Sequence, residues 1–406
     1  MALSEQSCDA VWCCEQGTVR GFYNSVMQFH LPDPRAFPVY EGDPANPLID
    51  LAIASLATEL GVIQEKRDTE LREQIAAMLI ANDTDSISDA LTRAPSLAVQ
   101  RHVTRVLASA HVEAGRARGD AGLPTTVFAI PVVIVAANPT AVNIPGALPK
   151  IDAFISLMKA HSALRGNQTF ALSNALAASS AFALDKLSAS LDWWAPQADE
   201  PVRVERAVMA VPENQESVFL RYLVGTALAG PGVDLLTDND TGKWGMPFTQ
   251  TFASQLGGGT LSLLALPRPP RSPLAALFQG RAAQREVSMQ LFATNAIRKF
   301  RGNVGEPEAV ISAHRTANGG EVRLSLSNPF DEKGAEGFRA ELHATDRAQD
   351  VAVAMQDLLR ECNVESVTVL ADVFPDMDSE TNLPMLFRAD ALEGAAGKAL
   401  SASMLH

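Results

Sequence analysis

The run from Thr126 to Ala137, TVFAIPVVIVAA, constrains the fold more than any other part of the sequence. Almost every residue in it is apolar, and Val and Ile dominate. A strand with one face in water alternates polar and apolar side chains, so an unbroken apolar run indicates a strand that is covered on both faces. We therefore predict a central strand of a helix-covered sheet.

From this run to about residue 373, β-branched segments alternate with amphipathic ones. The pattern predicts strands at 126–137, 168–172, 202–210, 259–266 and 286–292, and helices at 148–163, 175–192, 214–229, 272–282 and 293–301. Strand–helix–strand order at this spacing favours parallel strands joined by crossover helices. The expected fold class is therefore α/β, with a mainly parallel, helix-covered sheet.

The flanking sequence has a different character on each side of this body. Five prolines between residues 32 and 47 oppose both helix and central strand, whereas leucines and isoleucines recur at helical spacing from residue 48. After residue 304, an Asn-Gly between alternating segments predicts a β-hairpin, which a helix and a strand follow. We predict an extended proline-rich arm (1–47), a helical region (48–122), an α/β domain (123–303), a C-terminal α+β unit (304–390), either separate or continuous with the preceding sheet, and a frayed tail (391–406).

Charge and composition exclude some classes of protein. The 406 residues carry a net charge of −14, so the chain would repel nucleic-acid phosphates, and a nucleic-acid partner is not expected. The longest apolar run is about a dozen residues, short of the roughly 20 that span a bilayer. The first 16 residues resemble no secretory signal. We expect a cytoplasmic protein with no membrane partner.

Two acidic segments are candidate cation sites. Asp372, Asp376, Asp378 and Glu380 follow a predicted strand, and their carboxylate oxygens would suit Mg²⁺ or Ca²⁺. A solvated acidic surface is the alternative. Asp238 and Asp240 have the spacing of the first ligands of a calcium loop, but the glycine and glutamate that such a loop needs are missing. No other cofactor is expected, because Cys8, Cys13, Cys14 and Cys362 lack the spacing of zinc ligands.

The polar face of the predicted hairpin is a third candidate site. If the apolar residues of its strands face the core, the polar ones face away together: Ser312, His314, Arg323, Ser325, and Arg339, Glu341 and His343 on the next strand. Such a set could support acid–base chemistry. An antiparallel sheet with one face in water produces the same alternation, and this is the favoured interpretation.

A basic segment stands out in the acidic chain. Between Leu266 and Arg301 there are seven bases and one acid, a net charge of +6. A basic surface on an acidic protein can bind an acidic surface of another copy or of another protein. The predicted interface residues are Arg268, Arg271, Arg281 and Arg285. Pairing with acids of the same chain is the alternative.

These observations lead to two hypotheses of function. The first is a non-enzymatic, self-associating structural or assembly protein, because the arm and the basic segment suit contacts between copies and no catalytic signature is present; a partner-binding adaptor would have the same sequence features. The second is an α/β enzyme, a metal-assisted hydrolase or transferase acting on a small anionic substrate. Its site would lie at the carboxyl ends of strands, near the 230–259 loop and the 372–380 acidic loop.

Overall fold

A computed structural model describes residues 46–57, 61–95, 97–118, 125–164, 170–183, 206–228, 241–257, 259–303, 305–316, 319–328, 335–343, 346 and 348–370. The proline-rich arm up to residue 45, the tail, the acidic loop of Asp372, Asp376, Asp378 and Glu380, and Asp238 and Asp240 lie outside these residues.

The helical region contains α1 (Pro47–Leu56), α2 (Gly61–Ala81), α3 (Thr84–Arg93) and α4 (Leu97–Arg118). The side chain of Asn46 accepts a hydrogen bond from Leu48 N at the start of α1, and that of Asp83 accepts one from Ser86 N at the start of α3. These side chains satisfy backbone donors that a helix leaves free. The helices bury a shared apolar core of which Leu71 and Val103 are fully buried members.

The first sheet has the order β3-β5-β1-β6. Its strands are β1 (Thr125–Asn138), β3 (Phe170–Ala177), β5 (Gln215–Leu228) and β6 (Ser262–Pro267). All three of its strand pairings are antiparallel. A short antiparallel pair, β2 (Val142–Ile144) and β4 (Met209–Val211), lies beside it, and a 3₁₀ turn (Ser179–Phe182) follows β3.

Helices cover both faces of β1, as its apolar sequence predicts. Ala129 and Val133 lie in the core that α4 and α7 (Pro273–Asn303) share, whereas Ile130 and Ile134 face the core of α5 (Ile151–Ala160) and α6 (Gly245–Leu256). All four side chains are fully buried. Burial on both faces therefore does not require parallel strands.

The prediction of a mainly parallel sheet is wrong. The segment predicted as helix 214–229 is the strand β5, which pairs with β1 along fourteen residues, and the segment predicted as strand 286–292 lies inside α7. Parallel neighbouring strands need a crossover connection, usually a helix. Because the predicted crossover helix 214–229 is a strand, it pairs with β1 in the antiparallel direction. Short apolar segments fit buried helices and buried strands equally well, so periodicity alone does not separate them.

The second sheet has the order β10-β7-β8-β9 and is mixed. The predicted hairpin is confirmed: β7 (Glu308–Thr316) pairs with β8 (Gly319–Ser327) in antiparallel register, and β9 (Ala335–Leu342) pairs with β8. Among the described strands of this sheet, β10 (Val367–Leu370) alone is parallel to its neighbour, β7. The apolar face of this sheet packs against α8 (Ala348–Glu361) and the second half of α7.

Helix α7 connects the two sheets. Leu277 and Ala283 in its first half pack in a core of the first sheet, and Ala293 and Ile297 in its second half pack in the core of the second. None of the helices in the described ranges is long and apolar enough to cross a membrane.

Candidate functional site

A polar cleft of about 470 Å³ opens between α2 and α4. Its lining consists only of polar and charged residues: Gln64, Glu65, Asp68, Thr69 and Arg72 from α2, and Arg105 from α4. Side chains four residues apart in a helix lie on one face, so Gln64, Asp68 and Arg72 form one row along α2. Leu71 and Ile75 follow Asp68 and Arg72 by three residues, so they lie beside this row, and both are fully buried in the core. The row therefore lies along the edge of the packed side of α2.

Asp68 is held from below by two buried side chains. The Ser55 hydroxyl on α1 donates a hydrogen bond to Asp68 Oδ1, and His102 Nε2 on α4 lies 3.0 Å from the same oxygen. The His102 contact is close, but its direction is not that of an aligned hydrogen bond. Ser55 is fully buried and the His102 side chain is only 1% exposed, whereas that of Asp68 is 37% exposed. The carboxylate thus has a buried support and an accessible side.

His102 also connects Asp68 to Arg105. Arg105 Nη2 lies 2.6 Å from His102 Nδ1. A guanidinium only donates hydrogen bonds, so Nδ1 accepts, and the neutral ring carries its proton on Nε2, toward Asp68. Burial lowers the pKa of His102 below its ordinary value of 6.5, and Arg105 lowers it further, against the opposing effect of Asp68. His102 is therefore neutral at pH 7 and holds Arg105 in place.

The two arginines of the cleft differ in their partners. Arg72 Nε lies 3.1 Å from Glu113 Oε1, in a pair that is partly exposed. Among the residues that the structure describes, no carboxylate forms a salt bridge with Arg105. The guanidinium of Arg105 is thus available to an anion from solution.

The arrangement can bind a polar molecule. Asp68 offers a hydrogen-bond acceptor and Arg105 offers donors with a positive charge, both held by His102. His102 lies beneath the carboxylate, so its ring does not line the cleft. The side chains that line the cleft can position a polar molecule, and neither serine nor histidine is among them.

His102 gives the folded protein a pH dependence. Because the pKa of the buried ring is lowered, the unfolded chain binds a proton first as the pH falls. This contribution to stability is complete above about pH 6.5 and is lost below it, down to the lowered pKa of the folded state. We expect the free energy of unfolding, measured in urea, to fall between pH 7.5 and 5.5, and to fall less steeply in His102→Gln. Equal pH dependence of the two proteins would contradict a neutral, buried His102.

Two of the predicted interface arginines, Arg268 and Arg285, pair with carboxylates of the same chain. Arg268 Nη2 lies 3.0 Å from Glu286 Oε2, and Arg285 forms a two-bond pair with Asp346, with Nη2 3.1 Å from Oδ1. The backbone of Arg271 is paired with Ala129, and Arg281 is close enough to His343 to lower its pKa, after the larger effect of burial. A contact of these arginines with another copy stays a prediction.

The polar face of the hairpin is solvated only in part: Arg339 is 49% exposed and Glu341 is exposed, whereas other residues of this face are not. The residues Ser312, Glu321 and Ser325 on this face are buried. Glu321 contacts Arg323 Nε at 2.6 Å and Arg339 Nε at 3.7 Å. The side chains of Arg323 and Glu321 are only 13% and 5% exposed, so this is a buried ion pair, which suits a structural role. His314 lies on β7 opposite Glu321 on β8, and Glu341 is paired with Glu321 from β9.

The metal predictions cannot be placed in this structure. The acidic loop of Asp372, Asp376, Asp378 and Glu380 lies outside the described residues, as do Cys8, Cys13 and Cys14. Within the described part of the chain, no three His, Cys, Asp or Glu residues are grouped so that they could hold a metal ion.

Sequence reasoning missed the cleft. The segment Glu65–Gln74, EKRDTELREQ, resembles the charged outer face of a helix. The residues of α2 form no clear polar and apolar faces, and nothing in the segment reveals that Ser55 and His102 meet at Asp68. The available signal was a serine and a histidine on the apolar faces of the neighbouring helices, where a polar side chain needs a partner.

No protein-family model matches this chain, and no curated protein or solved structure is significantly similar to it.

Proposed function

We propose that the protein binds a small anionic molecule in the cleft between α2 and α4. The observation that carries the proposal is the guanidinium of Arg105, which is oriented by His102 Nδ1 at 2.6 Å and forms no salt bridge with a described carboxylate. Arginine binds carboxylate and phosphate groups through paired N–H donors. Arg72 lines the same cleft, but its charge is paired with Glu113, so the proposal depends on Arg105.

The net charge of −14 does not prevent this binding. At physiological ionic strength, charges that are farther apart than about 8 Å are largely screened. A bound anion therefore interacts mainly with the groups that line the cleft. The acidic field lowers the association rate at low salt, and we expect moderate salt to reduce this effect.

Calorimetric titration of the full chain with inorganic phosphate tests the proposal. We expect saturable binding with one site per chain, weakened at least about tenfold in Arg105→Gln because a charge-assisted contact is lost. Lys66→Gln is the matched control: it removes one positive charge from the same region of α2, but Lys66 is 76% exposed and does not line the cleft. No binding, or equal weakening in both variants, would contradict the proposal.

Metal-assisted catalysis on a small anionic substrate stays a prediction. The guanidinium of Arg105 in the cleft favours an anionic bound molecule. The proposed metal ligands lie outside the described residues, so the structure supplies no support for a metal at this site.

Self-association is a second candidate function, and the edge strand β6 favours it. Arg268 N donates to Pro131 O at 2.8 Å, so alternation along the antiparallel ladder directs the backbone groups of Leu263 and Ala265 away from β1. Thr249 on α6 donates to Ala265 O, and Leu263 leaves an open N–H and C=O among the described residues. β6 carries no charged residue, and Leu264 is 44% exposed. Edges that avoid pairing usually carry charges.

We expect Leu264→Lys to reduce self-association through this edge. A lysine at the centre of the edge would place two positive charges near each other in an antiparallel pair of β6 strands. Native mass spectrometry of the full chain at two concentrations measures the fraction of multiples of 43.3 kDa. Val353→Lys on α8, where Val353 is 45% exposed, is the control. A wild-type monomer at both concentrations, or equal losses in the two variants, would contradict self-association through β6.

A further inference from the structure

We infer that the molecule bound in the cleft is a hydroxylated organic anion, whose hydroxyl group donates a hydrogen bond to Asp68 while its anionic group binds Arg105. This inference rests on the proposed function and names the chemical class of the ligand. It assigns Asp68 the role of a specificity-determining residue.

The contacts of Asp68 leave one carboxylate oxygen for a ligand. Both described partners, Ser55 Oγ and His102 Nε2, contact Oδ1. The side chain is 37% exposed and lines the cleft. A carboxylate has about four acceptor positions, so Oδ2 can accept hydrogen bonds from the cleft. The two buried partners hold Oδ1 against the helices and leave Oδ2 without a contact to a described side chain.

The charges of the cleft favour an anion that carries a hydroxyl group over one that has none. Asp68 and Glu65 line it together with Arg72 and Arg105, and Arg72 is already paired with Glu113. An anion at Arg105 lies in the same cleft as Asp68, and like charges within a few ångströms repel each other. A hydroxyl between the anionic group and Asp68 replaces this repulsion with a charge-assisted hydrogen bond. A site that is built to accept a hydrogen bond discriminates strongly against an analogue that lacks the donor.

The dimensions and remaining polar groups of the cleft fit this class. Its volume of about 470 Å³ is within the range for small-molecule sites, and it is larger than a single inorganic ion needs. Gln64 and Glu65 supply further hydrogen-bonding groups on the same wall. Thr69 donates its hydroxyl to Glu65 O within α2, so its oxygen can still accept. A compact molecule with several hydroxyl groups can use these positions, whereas an apolar tail has no apolar wall to contact.

Two ligands that differ only in hydroxyl groups test the inference. Glycerol 3-phosphate and n-propyl phosphate share the phosphate ester and the three-carbon chain, but only the first carries alcohol hydroxyls that can donate to Asp68. The titrations are run at about pH 8, where both phosphate esters are mainly dianions without a P–OH donor. We expect the full chain to bind glycerol 3-phosphate at least about tenfold more tightly in calorimetric titrations, as a hydrogen bond to a charged group implies. Equal affinities would overturn the inference. Phosphate binding that depends on Arg105 would then still support the proposed function. Failure of the hydroxyl preference is therefore distinguishable from failure of anion binding.

Asp68→Asn provides a second readout with opposite effects on the two ligands. Removing the negative charge relieves repulsion of n-propyl phosphate, while glycerol 3-phosphate loses its strongest acceptor. We expect the preference between them to fall to about threefold or less. An unchanged preference would overturn the role of Asp68. If the variant does not fold, as judged by circular dichroism, the comparison of the two ligands on the wild-type chain still decides the inference.

Discussion

Replacing Asp346 with asparagine should lower the free energy of unfolding by about 3 kcal/mol. Asp346 accepts two hydrogen bonds from Arg285 on α7 and one from the His343 backbone, while Arg101 on α4 donates to its carbonyl oxygen. The side chains of Arg285 and Asp346 are only 15% and 12% exposed. The asparagine leaves the positive charge of Arg285 buried without a counter-ion. Urea denaturation followed by circular dichroism measures the loss in the free energy of unfolding.

Asp357→Asn on α8 is the matched control. Asp357 forms an ion pair with Arg360, but both side chains are more than half exposed, and we expect a change within about 0.5 kcal/mol. The double variant Arg285→Met with Asp346→Leu should recover part of the loss, because neither charge remains buried. A loss in Asp346→Asn no larger than that of the control would contradict the structural role of this pair.

The same pair predicts a response to acid. Burial alone would raise the pKa of Asp346, but the hydrogen bonds from Arg285 and from the His343 backbone outweigh it and hold the pKa below its ordinary value of 3.8. A lowered carboxylate pKa stabilises the fold above about pH 3.8, and this stabilisation is lost as the pH falls through the folded-state value. The acid response of Asp346 is thus separate from that of His102, which begins near pH 6.5.

Gly225→Ala should destabilise the fold by about 4 kcal/mol or more. Gly225 lies in β5 between β1 and β3, and an added Cβ would be 2.5 Å from both the Ala171 carbonyl oxygen and Phe128 Cζ. The carbonyl belongs to a paired strand and has little freedom to move, so the three strands must separate locally. Thermal and urea unfolding of the purified variant measure the loss, and a failure to obtain folded protein is the extreme of the same result.

Gly302→Ala is the control for this substitution. Apart from its chain neighbours and the backbone of its own helix, no atom of the described residues lies within 4 Å of its added Cβ, near the end of α7. Because alanine favours a helix over glycine by up to about 1 kcal/mol, we expect unchanged or slightly higher stability. Tolerance of alanine at Gly225 comparable to that at Gly302 would contradict the packing of β5 between β1 and β3.

The sequence predicted local features better than their arrangement. The apolar run of β1 correctly predicted that both faces of this strand are covered, because the apolar character of each side chain indicates its burial directly. The Asn-Gly hairpin was confirmed because turn chemistry is local. The strand β5 was predicted as a helix, since its apolar residues fit a buried segment of either type. Its pairing with β1 decides the conformation, and that pairing joins residues far apart in sequence.

The candidate site shows the same limit. Asp68 contacts a serine 13 residues earlier and a histidine on α4, and helical periodicity does not specify which helices meet. The basic segment was a correct observation about charge, yet α7 directs Arg285 and Lys299 to Asp346 and Glu336 within the chain. The location of these acids follows from the packing of the second sheet against α7, which the sequence pattern does not determine.

Hydrogen–deuterium exchange of the full chain with and without saturating inorganic phosphate tests the central claim most directly, because it locates the bound anion. We predict slower exchange in peptides covering residues 64–72 of α2 and 101–105 of α4, with no change in residues 308–327 of the second sheet. The effect on α2 and α4 should be absent in Arg105→Gln. Unchanged exchange in these two helices, or slowing confined to another part of the chain, would contradict an anion-binding cleft at Asp68 and Arg105.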